Sequence, residues 1–447
     1  MLHLSPTFSL GVAASFALFA VPGSASTDRL PDPPEGLAGA ELAELRARGP
    51  AALEALLARY DHAAPEDRDA LAAAIDTVAG QRYATASRLY WYTDLDRAEQ
   101  AAHQLHRPIL ALRLLGDLRD DLSCANSRLF RATLYANTLV SAFLRSHFVL
   151  YWSTERAVPT VTIDFGDGRK IVRTTTGNSA HYVLDEDGHV LDVLPGLYAP
   201  QVFARELGKS LVLADKVRGM TDARRTRAVA AYHAAASDAA DRAWQLAADA
   251  PYIRGSRFLL GAGDVASALA RAQAATMSKM VMEVPDLQKI GLVQPAEVPN
   301  DAAMWSAIGQ KVWNIGERGA APAQPPRQAR RAPAPRVPPS MVLDAASRAL
   351  VAQLHNAGPD GQRATPAELD AVIARLEQHI VADTALNQFT LRQTIHHQIA
   401  SRPDADLATL NAWIYEAVFA TPSADPWLGL RARADFTGLP GDGVVMP

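Results

Sequence analysis

Cysteine is almost absent: Cys124 is the only one in a chain of 447 residues. This excludes an intrachain disulfide, a CxxC redox pair and any zinc or iron–sulfur centre built from the thiolates of one chain. Lysine is scarce too, at six of the 44 basic residues, the rest being arginine. With 48 acidic groups the net charge is -4, so the electrostatic footprint of a nucleic-acid binder is missing. No later stretch approaches twenty uninterrupted apolar residues, so no integral membrane span is expected in the mature chain. HExxH, GxSxG, a phosphate-cradling glycine loop, a dinucleotide fingerprint and a twelve-residue calcium loop are all missing. No cofactor and no metal are therefore expected.

What is present is apolar material, 49% of the residues, enough to bury the cores of two to four domains. Leu10 to Val21 is an apolar run of signal-peptide length, followed by the small residues Gly23, Ser24, Ala25 and Ser26. Residues 1–26 are read as a signal peptide, which places the mature chain in the periplasm or outside the cell. A misplaced start codon is the other reading, and sequence does not decide between cleavage and retention as an anchor.

Beyond that segment the chain reads as α+β and α-rich, with a central α/β domain flanked by helical regions. Residues 27–88 form an N-terminal helical segment, with Leu42, Leu45, Leu53, Leu56 and Leu57 at helical spacing around the break at Pro50. Residues 89–210 make the α/β domain, 211–317 a helical region, 318–340 a Pro/Ala/Arg linker and 341–447 a C-terminal helical domain. Within 89–210, Ile109–Leu115 follows Pro108 as a nearly continuous apolar run, the signature of a buried strand. A helix is expected from about Ser127 towards Leu150. Gly166-Asp167-Gly168 turns one hairpin, and Asp185–Gly188 turns a second between His181–Leu184 and His189–Leu194. In the last domain, Thr365-Pro366-Ala367-Glu368 carries the marks of a helix start.

Cys124-Ala125-Asn126-Ser127 at a helix start after the strand 107–115, and Tyr182–Val190 as a strand with an Asp-Gly turn, together resemble a thioredoxin-like domain. The resemblance covers about a quarter of the chain. It implies a strand order in which 107–115 and 181–184 are neighbours. It also implies that Cys124 stands where the family carries its CxxC, and that His181 lies on the loop facing it. Two positions depart from the family: Ser127 replaces the resolving cysteine, and Ala180 stands at the position of the cis-proline. A CxxS site has no second thiol to release a mixed disulfide.

Two functions follow. In the first, the degenerate domain binds a protein or peptide without catalysis, and Cys124 is a buried small hydrophobe. In the second, Cys124 is a monothiol nucleophile for thiol–disulfide chemistry. Its thiolate would be favoured by the helix N-terminus and an ion pair with His181, and Ser127 would supply a hydrogen bond. Whether the protein is an enzyme is left open, as is its oligomeric state. His379, His396 and His397 lack chelating spacing and are assigned to surface or interhelix hydrogen bonds. The stripe Asp383, Asn387, Arg392 and His396 is read as a solvated face. The aromatic cluster Tyr90-Trp91-Tyr92 is expected to seal a domain edge.

Overall fold

Proline and glycine punctuate the first helices. Pro50 and Pro65 sit in the first turns of α2 (Pro50–Asp61) and α3 (Pro65–Ala79), after α1 (Gly39–Ala47). Gly80, at φ 74°, closes α3 in the left-handed conformation. The computed structural model describes residues 39–174, 178–248, 302–313, 342–356, 363–422 and 424–427. The segment read as a signal peptide, the linker expected at 318–340 and most of the region expected to be helical between 249 and 317 lie outside the described residues. Leu42, Leu53, Leu57, Ile75 and Val78 make a small core of their own, completed by Ala84 of the short α4 (Ala84–Ser87). Trp91 Nε1 donates to Gln81 Oε1 at 2.7 Å, and Trp152 Nε1 donates to the Gly80 carbonyl at 2.8 Å. These two indoles fasten the helical segment to the sheet.

After α5 (Leu95–Leu105), capped by the Asp94 carboxylate, comes β1 (Ile109–Leu115). A loop leads to α6 (Ala125–Leu129), which runs into a π-helical turn, Phe130–Tyr135, and then α7 (Thr138–His147). The helix expected to reach Leu150 instead stops at His147, and Val149–Arg156 is a strand, β2. Its first four residues are all buried, so the period-two alternation that would have marked a strand is missing. β3 (Thr160–Asp164) and β4 (Lys170–Thr174) form the first expected hairpin, a separate two-stranded sheet. β5 (Ser179–Leu184) and β6 (Val190–Pro195) form the second.

The four-stranded sheet has the order β2-β1-β5-β6. β1 and β2 are parallel, while β5 pairs antiparallel with both β1 and β6. The strands expected to be neighbours are so, with Leu112 opposite His181. The fold is thus α+β and rich in helix. Alternation along β5 puts Ser179 and His181 on one face, and the register of β6 adds Asp192 to it. Tyr182 points to the other face.

Helices α8 (Pro200–Val217) and α9 (Asp222–Ala248) follow. Then come α10 (Ala302–Trp313), α11 (Ala345–His355), α12 (Pro366–Leu386), α13 (Arg392–Ser401) and α14 (Leu407–Trp413). The residues assigned to a separate C-terminal domain share one continuous core with the sheet: Ile380, Leu391, Ile395, Ile414 and Phe419 belong with Leu112, Val183 and Phe203. On the far face of the sheet, Tyr182 Oη donates to Asn411 Oδ1 at 2.8 Å and Tyr415 Oη to the Asn178 carbonyl at 3.2 Å. Gly196, at φ +71°, lets the chain pass Asn387, whose Nδ2 would lie 2.7 Å from a Cβ there and donates to the Leu197 carbonyl.

At α12 the sequence signature is fully realised. Thr365 Oγ1 accepts from the Glu368 amide, and the Glu368 carboxylate accepts from the Thr365 amide. Thr365→Ala should cost about 1 kcal/mol, read as a lower urea midpoint at unchanged slope. An unchanged midpoint would mean that the box adds nothing to α12.

Candidate functional site

Cys124 is the N-cap of α6, placed there by the loop that leaves β1. Its amide donates to the Leu115 carbonyl at 3.2 Å, fixing the residue to the end of the strand. The loop is held from below by Arg131, buried, whose Nη1 reaches the carbonyls of Leu118 at 2.8 Å and Asp120 at 2.6 Å. Arg131 Nη2 donates to Ser123 Oγ at 3.2 Å. The Cys124 side chain has no exposed surface. Its sulfur lies 2.9 Å from Ser179 Oγ and 3.5 Å from Ser127 Oγ. Ser127, also buried, has its own hydroxyl 2.7 Å from the Cys124 carbonyl and 2.7 Å from Ser123 Oγ. Three serines and one thiol therefore form a closed hydroxyl cluster at the helix start.

Of the three residues singled out from sequence, Cys124 and Ser127 are in contact. His181 is elsewhere. It lies inside β5, not on a loop, and its Nε2 is 2.7 Å from Tyr135 Oη. Its ring packs against Phe130 at 4.7 Å and Phe203 at 4.9 Å between centroids. Burial drops its pKa from 6.5 to about 3, so the ring is neutral at physiological pH and cannot form an ion pair. The same burial raises the Tyr135 phenol well above its usual value. Facing the sulfur in place of the imidazole is Ser179, two residues earlier on the same face of β5. Sequence reasoning missed Ser179 because a serine at a strand entrance carries no signal of its own. Its role comes from the pairing of β5 with β1.

A second polar cluster lies deeper on the same face of the sheet. Arg392, at the start of α13, is fully buried and bridges two carboxylates. Its Nη2 meets Asp192 Oδ2 of β6 at 2.8 Å, and its Nη1 meets Glu206 Oε2 of α8 at 2.8 Å. Ser210 Oγ and Tyr232 Oη also donate to Asp192 Oδ2, at 2.7 and 2.9 Å. Lys209, half exposed, holds Glu206 from the surface side at 2.8 Å. Burial alone would raise both carboxyl pKa values. The guanidinium reverses this, aided by the Ser210 hydroxyl at Asp192 and by Lys209 at Glu206, so both lie below the usual carboxylate range. Most of the stripe read as solvated is the opposite: Asn387, Arg392 and His396 are buried, and Asp383 is half-buried. A polar helical face is solvated only when nothing on another element pairs with it. Here the partners sit on β6 and α8, nearly two hundred residues earlier.

Next to this ion pair, His233 of α9 and His396 of α13 meet through their Nδ1 atoms at 2.7 Å. This is the interhelix bonding expected for His396, with the partner supplied by α9. His379 and His397 stand outside it; His397 Nε2 is 3.4 Å from Ser237 Oγ.

Comparison with known proteins finds no matching family, no matching curated protein and no matching solved structure.

Proposed function

We propose that this chain is an exported protein whose thioredoxin-like domain, about residues 90–210, has become a noncatalytic protein- or peptide-binding scaffold. The domain assignment is supported by the strand order β2-β1-β5-β6, by the helical crossover from Cys124 to His147 between two parallel strands, and by the closing helix α8. One observation carries the noncatalytic reading. The sulfur of Cys124 has no exposed surface and spends its contacts on two buried serine hydroxyls. A nucleophilic thiol needs access and a stabilised thiolate. Here access is closed, and the imidazole nominated as activator is neutral and bonded to Tyr135. The partner-facing element is the β3–β4 hairpin, which stands outside the main sheet and exposes Phe165 beside its turn. Extended edges with an apolar anchor suit recognition of a peptide strand.

The alternative is a monothiol oxidoreductase, favoured by the position of Cys124 at a helix N-cap after β1. Incubation of the folded chain with oxidised glutathione separates the two. A reactive thiolate attacks one sulfur of the disulfide, forms the protein–glutathione disulfide and releases one glutathione thiolate. The scaffold reading expects no adduct by intact mass. A native chain that gains one glutathione overturns it in favour of the monothiol.

A further inference from the structure

We infer that Asp192, His233 and His396 form a site for one divalent first-row metal ion of the zinc class, joining α9 and α13 to β6. The three side chains come from three elements, are all buried, and offer ligand atoms within 4.8 Å of one another. Two imidazoles and one carboxylate are a donor set that suits such an ion.

The hydrogen bonds around His233 carry the assignment. Its Nε2 lies 3.0 Å from the Leu191 carbonyl, which can only accept, so Nε2 bears the proton and Nδ1 presents a lone pair. An imidazole whose far nitrogen is anchored on a backbone carbonyl is the usual support of a metal-binding histidine. The anchor here belongs to the residue next to Asp192. The free Nδ1 of His233 is aimed at His396 Nδ1, 2.7 Å away. Without metal, His396 must hold its proton on Nδ1 and donate it across that gap. Binding through both Nδ1 atoms moves this proton to His396 Nε2 and replaces it with the ion; no net proton is released. Burial lowers the pKa of both rings and so favours the neutral form, in which imidazole binds metal. Asp192 is oriented by Ser210, Tyr232 and Arg392, all on Oδ2, while its Oδ1 accepts from the Val193 amide. The positive charge of Arg392 opposes a cation, and Glu206, bonded to the same guanidinium, offsets it.

The test uses the full-length chain, stripped with chelator and titrated with Co²⁺ alone, followed by Zn²⁺ competition. One Co²⁺ per chain is expected, with the intense visible bands of a low-coordinate site, displaced by one Zn²⁺. His396→Gln should abolish the bands, and His397→Gln, one residue on, should keep them. Tyr232→Phe, which removes one bond to Asp192 and no ligand, should weaken Co²⁺ binding about 10-fold. This variant preserves the test if His396→Gln does not fold. The exposed group Asp185, Asp187 and His189 is the competing location, so His189→Gln should also leave the bands unchanged. Absence of stoichiometric uptake by the wild-type chain overturns the site. So does binding that survives His396→Gln or is lost in His189→Gln.

Discussion

Replacing Arg392 by methionine should lower the free energy of unfolding by about 3–5 kcal/mol, the cost of leaving a buried carboxylate without its partner. The substitution keeps most of the side-chain volume and removes only the guanidinium. It strands Asp192 and Glu206, of which Asp192 has no exposure and Glu206 almost none. Glu206 retains Lys209, so most of the penalty falls on Asp192, left with Ser210 Oγ, Tyr232 Oη and the Val193 amide. Combining Arg392→Met with Asp192→Leu and Glu206→Met should recover most of the loss, because apolar replacement of a whole buried ion cluster is often neutral or better. Urea denaturation of the wild-type, single and triple chains, each stripped of metal, measures both. A loss under about 1 kcal/mol in the single variant would mean that the cluster admits water.

The second large effect is acid sensitivity. His181 titrates near 6.5 when unfolded and about 3 when folded, because burial opposes its charge. The unfolded chain therefore takes up the proton first. The contribution of His181 is complete above pH 6.5 and is lost progressively as the pH falls towards 3. At about 1.4 kcal/mol per unit, this single ring accounts for roughly 3–5 kcal/mol by pH 3. His233 and His396 are shifted in the same direction by burial and add to the loss. Asp192 and Glu206 also lie below their usual range, so their contribution disappears below about pH 4. Asp76 works the other way: burial raises it to about 6, so it favours the folded state as the pH drops from 6 to 4. Glu99 and Asp120 are raised like Asp76, and His379 is lowered like the other imidazoles; the His181 shift, from 6.5 to about 3, exceeds that of Asp76, from 3.8 to about 6. The urea midpoint should fall steadily between pH 7 and pH 4, and His181→Gln should flatten that slope. An unchanged slope in the variant would mean that His181 is reached by water in the folded chain.

How far the fold was legible depends on how local its signals are. The run Ile109–Leu115, the Asp-Gly turn before β6 and the Thr365–Glu368 capping box are each written within a few residues, and each stands where it was read. β2 was not legible because Val149–Trp152 is uniformly apolar, without the alternation that separates a strand from a continuing helix. The buried polar face of α12 and α13 was misread for a different reason. Arg392 and His396 look like solvent-facing residues until β6, α8 and α9 supply Asp192, Glu206 and His233 from far along the chain. The candidate site divides in the same way. Cys124 and Ser127 are one helical turn apart and their contact follows from spacing. The partner of His181 is Tyr135, on a π-helical turn that carries no sequence signature, and the residue facing the sulfur is Ser179.

The most direct measurement is the pH dependence of Cys124 alkylation in the folded chain, read by intact mass. A sulfur sealed between Ser127 and Ser179 gives no label in the folded state up to pH 9, and one label on denaturation. Native labelling with a midpoint below about 7, well under the ~8.5 of a free cysteine, would contradict the scaffold account and make Cys124 an activated nucleophile.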